Sequence, residues 1–309
     1  MRPTRIVFIL VPKVHLLDLA GPAQVFTTAN DLGYGYQLSY VAESEEVMTA
    51  QGVPLRAQLE WPEIDPDDLI VVPGWRSPRL SPVPPIGADV QRRLRDHHSS
   101  GGSVASVCSG ADALGASGLL DGRRFTTHHD LTDELAARYP RATMVRDVLY
   151  VVDDRIITSA GIASGIDLAL HLVAVDRGAE AAARVARQMV VYARRNGDEL
   201  QESAMLRHRG HLSDLAHRVQ DVIDVQYAER LPLSDLAGQI GVSERTLTRI
   251  FTTATGLTPL RYQQLLRLER AEHLIGHGAT IEAAARTVGF EDARMLRRLR
   301  SRTAEPVAG

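Results

Sequence analysis

Cys108 is the one cysteine in this chain of 309 residues, and it stands in GSVASVCSGADALG, an apolar run, a sharp turn and a helix start in succession. A thiol on such a turn meets the free N–H groups and positive dipole of the helix N-terminus, which lower its pKa and make it a nucleophile or a ligand contact. The opposing reading is a small buried apolar residue at a strand end, and spacing alone does not choose between them. Two other loops end apolar runs: one carries Asp18, the other Pro73-Gly74-Trp75. Asp18 is placed to hydrogen-bond the Cys108 sulfur or a polar ligand, or to cap a helix. His128 and His129, in TTHH, are the imidazoles that would serve the thiol as base, or that satisfy a backbone group at a helix start. Ser109 follows Cys108 directly and offers a hydroxyl.

A different chemistry is written twice near the end of the chain. LPLSDLAGQIGVSERTLTRIF and ATIEAAARTVGFEDARMLRRLR each place an Ala (Ala237, Ala285) four residues before a Gly (Gly241, Gly289). The Gly takes the positive φ of a tight turn between two helices. A cap follows, Ser243 in one and Asp292 in the other. In the first copy Leu247, Ile250 and Phe251 form a buried stripe and leave Arg245, Thr248, Arg249 and Thr252 on the opposite face. Shifting by forty-nine residues sets Arg294, Met295, Leu296, Arg298 and Leu299 on Arg245, Thr246, Leu247, Arg249 and Ile250. Between the copies Leu265, Leu268, Ala271, Leu274 and Ile275 keep helical period from about Pro259, which predicts one connecting helix, a rod of roughly 23 Å for some fifteen residues at about 1.5 Å each. Such a rod holds two recognition helices about one DNA turn apart, over adjacent major grooves.

The elements that must position these groups fall into two sets. RIVFILV, YQLSYVA, DLIVVPG, GSVASVC, VLYVVDD and RIITSAG read as strands, with helices over about Leu19 to Asn30 and over SGIDLALHLVAVD. Near-continuous apolar strands alternating with helices predict an α/β, doubly wound, mostly parallel sheet of flavodoxin-like type, with its site at the strand C-terminal ends. An all-α domain with two helix-turn-helix units comes after it. The polar stretch ARRNGDELQESAMLRHRGH marks the seam. The expected division is therefore a first domain over 1–195, a linker over 196–211 and a DNA-binding domain over 212–309.

The chain carries a formal charge of -3, yet residues 245–302 hold eleven Arg against five acidic residues, a surplus of six. Phosphate neutralisation needs a basic face, not a basic protein. Lys13 is the single lysine, so nearly all positive charge is guanidinium, suited to bidentate contact with phosphate or guanine. No run approaches eighteen apolar residues and the N-terminus has no signal-peptide pattern, so a cytoplasmic protein without a membrane partner is expected. One cysteine excludes an intramolecular disulfide and a cysteine-based zinc site; no metal and no cofactor are expected.

RTLTRIF, GLTP, RLERAEHLI and TVGF resemble the AraC/XylS family of bacterial transcription regulators, over about Leu212 to Arg302. The second copy departs from that pattern: Arg300 stands where Phe251 predicts an apolar anchor, and the family's closing Gly-x-x-Pro-x-x-Tyr is reduced to EPVAG. LLDLAGPAQVF, IVVPGW, SVCSGADALGASGLLDGRRFTTHHDL and ITSAGIASGIDLAL resemble the ThiJ/PfpI superfamily, the class I glutamine-amidotransferase-like fold, over about Arg5 to Arg195. Together the two are similar to GlxA-family regulators. The resemblance implies that Cys108 occupies the nucleophile elbow, Asp18 the nearby acidic position and the Gly74-Trp75 backbone the oxyanion-facing turn. Ser109 stands where the peptidase branch has His, so no adjacent base activates the thiol, and no catalytic residue is expected.

The two resemblances together imply a regulator whose first domain binds a small-molecule effector or a partner subunit and whose second binds double-stranded operator DNA and addresses the transcription machinery, as a homodimer. Arg245 and Thr248 are expected at base edges. Arg249, Thr252, Arg294, Arg297 and Arg298 divide between bases and phosphates, the second unit being the weaker reader. Cys108, Asp18 and Ser109 near TTHH also resemble isocyanide hydratase, in which the thiol attacks the isocyanide carbon, Asp18 moves protons and Ser109 steadies the intermediate. A redox sensor is a third reading, limited to sulfenate or an intermolecular bridge for want of a resolving cysteine.

Overall fold

A computed structural model describes residues 3–76, 80–81, 84–191, 195–201, 203, 207–276 and 278–304. The chain divides into two compact units, Met1–Gln201 and Glu202–Gly309.

In the first unit, β1 (Thr4–Ile9), β2 (Tyr36–Val41), β5 (Leu69–Val72), β6 (Ser103–Val107), β9 (Tyr150–Asp153) and β10 (Ile156–Ser159) make one sheet in the order β2-β1-β5-β6-β10-β9. All neighbours are parallel except the edge pair β9 and β10. Side-chain alternation decides the layering. Ile6 and Phe8 of β1 enter one apolar cluster, with α1 (Leu16–Asp31), α5 (Ser164–Arg177) and α6 (Ala179–Gln188). Val7 and Ile9 enter the other, with α2 (Ala88–Ser99), α3 (Ala111–Ala116) and α4 (Thr132–Arg138). Both faces are covered, which is why the strands read as unbroken apolar runs. Two small pairs lie outside this sheet: β3 (Glu46–Met48) with β4 (Pro54–Arg56), antiparallel, and β7 (Arg124–Phe125) with β8 (Thr143–Met144), parallel.

The first helix begins at Leu16, three residues earlier than the sequence suggests, and its N-cap is His15. Asp18 is therefore not the cap. It lies in the first helical turn and is fully buried.

The second unit is helical: α7 (Asp214–Gln226), α8 (Leu233–Ile240), α9 (Glu244–Thr255), α10 (Pro259–Gly276), α11 (Ile281–Thr287) and α12 (Ala293–Ala304). It holds two cores. Ala216, Val219, Ile223, Leu247, Phe251 and Tyr262 build one; Leu268, Ala271, Ala285, Val288, Leu296 and Leu299 build the other. The connecting helix α10 feeds both and has eighteen residues, about 27 Å at 1.5 Å rise. The stretch 196–211 is shared between the units. Gly197 and Glu199 accept hydrogen bonds from Tyr150 and Leu149, whereas Arg209 pairs with Asp221 and Asp224 of α7.

Candidate functional site

Strand β6 ends at Val107, and Cys108 turns the chain with φ +56°, a left-handed conformation costly for a residue with a Cβ. The strain persists because the surroundings fix it. The Cys108 carbonyl accepts from Thr127 Oγ1 at 2.8 Å, and Gly74 and Gly161 press on the Cys108 side chain so closely that a Cβ on either would overlap it. Cys108 as a whole is 8% exposed.

Asp18 comes to this elbow from α1. Its Oδ1 accepts the Ile162 N–H at 2.6 Å, and Ile162, after β10, is itself held at φ +51°. Its Oδ2 is buried and faces Gly74 and the Cys108 side chain. Burial pushes the Asp18 carboxyl above its ordinary value, and burial together with the neighbouring Asp18 charge pushes the Cys108 thiol well up. Two acids this close in a dry site do not readily ionise together. The direction is opposite to the lowering expected from a helix N-terminus: α3 is a short helix of six residues, and burial, followed by the Asp18 charge, pushes the thiol up.

Ser109 does not face a reacting atom. Its hydroxyl accepts the Trp75 N–H at 2.7 Å and donates to the Trp75 carbonyl at 3.0 Å, tying the Gly74-Trp75 turn to the elbow. The Trp75 N–H that an oxyanion would use is occupied by that bond. His128 Nδ1 accepts from the Asp130 N–H at 3.4 Å at the start of a short 3-10 turn, and its ring packs on His129 at 4.1 Å. Among the described residues, His128, His129 and Asp130 alone group three potential metal donors.

In the second unit Ser243 caps α9 by accepting the Thr246 N–H, and Asp292 Oδ1 accepts the Arg294 N–H at 2.8 Å before α12. Leu247 and Phe251 are fully buried and Ile250 half-buried. Arg245, Arg249 and Thr252 are exposed. Thr248 is half-buried on the wall of a cleft of about 970 Å³ between the two helix-turn-helix units, with Met295 and Asp292 also lining it. Arg267 of α10 locks the units together: it donates to the Tyr227, Glu229 and Gly289 carbonyls and lies 5.6 Å over the Phe290 ring.

The DJ-1/PfpI family matches residues 4–175 and a helix-turn-helix domain matches residues 236–305. The chain belongs to the DJ-1/PfpI family. As a DJ-1/PfpI protein it is joined to a reader of DNA. The HTH-type transcriptional regulator GbdR of Pseudomonas aeruginosa is 26% identical over 88% of this chain and 74% of its own length. The isonitrile hydratase of Pseudomonas putida is 34% identical over 53% of this chain and 68% of its own. In fold, the first unit matches the crystal structure of an AraC family transcriptional regulator from Pseudomonas putida, with a TM-score of 0.53 at 24% identity over 60% of this chain and 100% of that one. With the helix-turn-helix domain and this likeness to regulators over most of its length, the protein is a DNA-binding transcriptional regulator with a DJ-1/PfpI domain. No helix among the described residues is long and apolar enough to cross a membrane.

The DJ-1/PfpI elbow unites Cys108, Asp18, Ser109, Gly74 and Trp75. Sequence reasoning missed Ile162, Gly161 and Thr127, which act through a backbone N–H, a missing Cβ and a hydroxyl bound to a carbonyl. It also missed His15, whose charge bears on Asp18 and whose ring lies 3.4 Å from Gln51. Arg300 does not disrupt the second core. It is half-buried and its Nε reaches Glu272 at 2.7 Å, so the stem packs while the charge is paired. The EPVAG tail, 305–309, lies outside the described residues.

Proposed function

We propose that the DJ-1/PfpI domain acts as a sensor without turnover of its own and that the helix-turn-helix pair delivers its response to operator DNA. The observation that carries this is the Ser109 hydroxyl, which is engaged with both the N–H and the carbonyl of Trp75. The elbow therefore has no histidine beside the thiol, only the buried Asp18 carboxyl, its Ser109 hydroxyl is taken up by Trp75, and burial pushes the thiol pKa up. Cys108 and Asp18 serve ligand contact and shape. On the DNA side, Arg245 and Arg249 make no ion pair among the described residues, which leaves their guanidinium groups to bases and phosphates. Thr248 and Thr252, with Arg294, Arg297 and Arg298, complete the DNA contact. The protein works as a homodimer in the cytoplasm, on DNA beside the transcription machinery.

The test is to assay the full chain against isocyanides, peptides and esters. Inactivity, with unchanged operator affinity in Cys108→Ser, is expected; turnover abolished by Cys108→Ser overturns the sensor reading in favour of a hydratase-like one. The raised thiol adds a pH arm. Iodoacetamide should modify native Cys108 far more slowly than the urea-unfolded chain, and faster as pH rises towards the thiol's raised value. Fast labelling at neutral pH would show an activated thiolate. A fragment selection from random DNA supplies the operator for these measurements.

A further inference from the structure

The first unit also has a hollow away from the elbow. At the carboxyl ends of β1 and β2, against α2, lies a cavity of about 390 Å³ that none of the elbow residues lines. Its floor is apolar, from Ile9, Val11, Val41 and Val90, and the Trp61 indole stands at its side. That volume suits a small ligand, and strand carboxyl ends are where open α/β sheets bind one.

Two opposite charges are fixed around this floor. Glu43 Oε1 accepts the Gly87 N–H at 3.0 Å just before α2, close enough that a Cβ at Gly87 would push the carboxylate aside. Its Oε2 makes no hydrogen bond among the described residues. Arg93, one turn along α2 from Asp89, is anchored by Nε to Asp89 at 2.8 Å and held 5.2 Å over the Trp61 ring. Arg93 is thereby ion-paired with Asp89, itself a lining residue of the cavity, and its terminal nitrogens make no hydrogen bond among the described residues. The anchoring matters because a group held in place loses less entropy on binding than a free surface side chain.

We propose that this cavity is the effector site of the regulator and that it takes a small α-amino-acid-like zwitterion: an apolar side chain on the floor, its ammonium at Glu43 and its carboxylate at Arg93. The assignment rests on the sensor reading above, and it moves the ligand away from Cys108. A bidentate guanidinium–carboxylate contact and a carboxylate–ammonium contact supply orientation, while the branched apolar floor selects the side chain.

Calorimetry on the full chain with three probes of one carbon skeleton tests it: L-leucine, 3-methylbutylamine, which lacks the carboxylate, and 4-methylpentanoate, which lacks the ammonium. Saturable binding of L-leucine, with each one-charge probe about tenfold weaker or more, is expected from the loss of one charge-assisted contact. Glu43→Gln should weaken L-leucine and the amine but spare 4-methylpentanoate; Arg93→Gln should do the reverse. Leu59→Trp, at a rim residue that is 52% exposed, should obstruct the mouth without touching the core, and so it keeps the test open if a charge variant misfolds. Absence of saturable L-leucine binding, or binding indifferent to Glu43→Gln, Arg93→Gln and Leu59→Trp, overturns the cavity site. Loss of binding in Cys108→Ser alone returns the effector to the elbow and leaves the sensor reading standing. Turnover at Cys108 would instead remove the sensor reading itself.

Discussion

The two helix-turn-helix units share a plan and differ in where their charges go. In the first, Arg245 and Arg249 rise from α9 without an ion pair among the described residues, and the turn glycine, Gly241, has nothing within 4 Å of where a Cβ would stand. In the second, Arg294 lies near Asp292, Arg297 is paired with Glu282 and Arg300 with Glu272. Its turn glycine, Gly289, is pressed onto the Ala228 carbonyl. One unit leaves its arginines without ion pairs among the described residues; the other has already committed several of its donors to carboxylates and its turn to the junction. Repeating a fold does not repeat its function, because side-chain partners outside the motif decide which charges are available. Exposed pairs of this kind are worth about 0–1 kcal/mol each, so the second unit is proposed to read DNA more weakly without being silent.

The glycine pair gives the largest expected difference. Gly289→Ala meets both a positive φ and the Ala228 carbonyl, and should cost about 3–4 kcal/mol, whereas Gly241→Ala meets only the φ and should cost about 1 kcal/mol. Urea unfolding of the full chain, followed through operator binding, measures both; equal costs would dissolve the contrast. Next comes Arg267→Met, which keeps the stem but takes the donor from the Gly289 carbonyl and leaves Tyr227 and Glu229 with the Gln263 amide alone. A loss of about 1–3 kcal/mol is expected, with the two half-sites no longer bound as one. A footprint still spanning both half-sites at unchanged affinity would show that the helix alone sets their spacing.

Arg245→Ala should cost about 1–3 kcal/mol in operator affinity and relax preference at one base position. Arg294→Ala should cost less and weaken all sequences alike. The same loss of specificity from both variants would make the units equal readers. Smallest of all, Glu282→Gln frees Arg297 and should tighten binding about two- to fivefold, with a steeper salt dependence. Unchanged affinity at low salt would mean that Arg297 stays away from DNA.

Much of this molecule is legible in its sequence. The long parallel strands announce themselves because burial on both faces demands unbroken apolar runs, and the repeated Ala, Gly and cap spacing marks both helix-turn-helix units. β3, β4, β7 and β8 escape such a reading because two or three residues are too few to show a period. The fully buried Tyr262 on α10 escapes it because its hydroxyl, bonded to Asp224 at 2.7 Å, needs a partner thirty-eight residues away in sequence.

Residue types and spacing by themselves determined that an α/β domain precedes a paired DNA reader, that Cys108 stands at a strand end, and that Arg245 and Arg249 share a face. These come from local geometry, which the chain carries in its periods of 2 and 3.6. Tertiary structure alone decided the surroundings of the thiol, the direction of the Ser109 hydroxyl and the pairing of the second unit's arginines. Each depends on groups distant in sequence, Asp18 and Ile162 on Cys108, Trp75 on Ser109, Glu272 on Arg300. Desolvation and pair energies are set by which atoms meet, and only the folded chain brings them together.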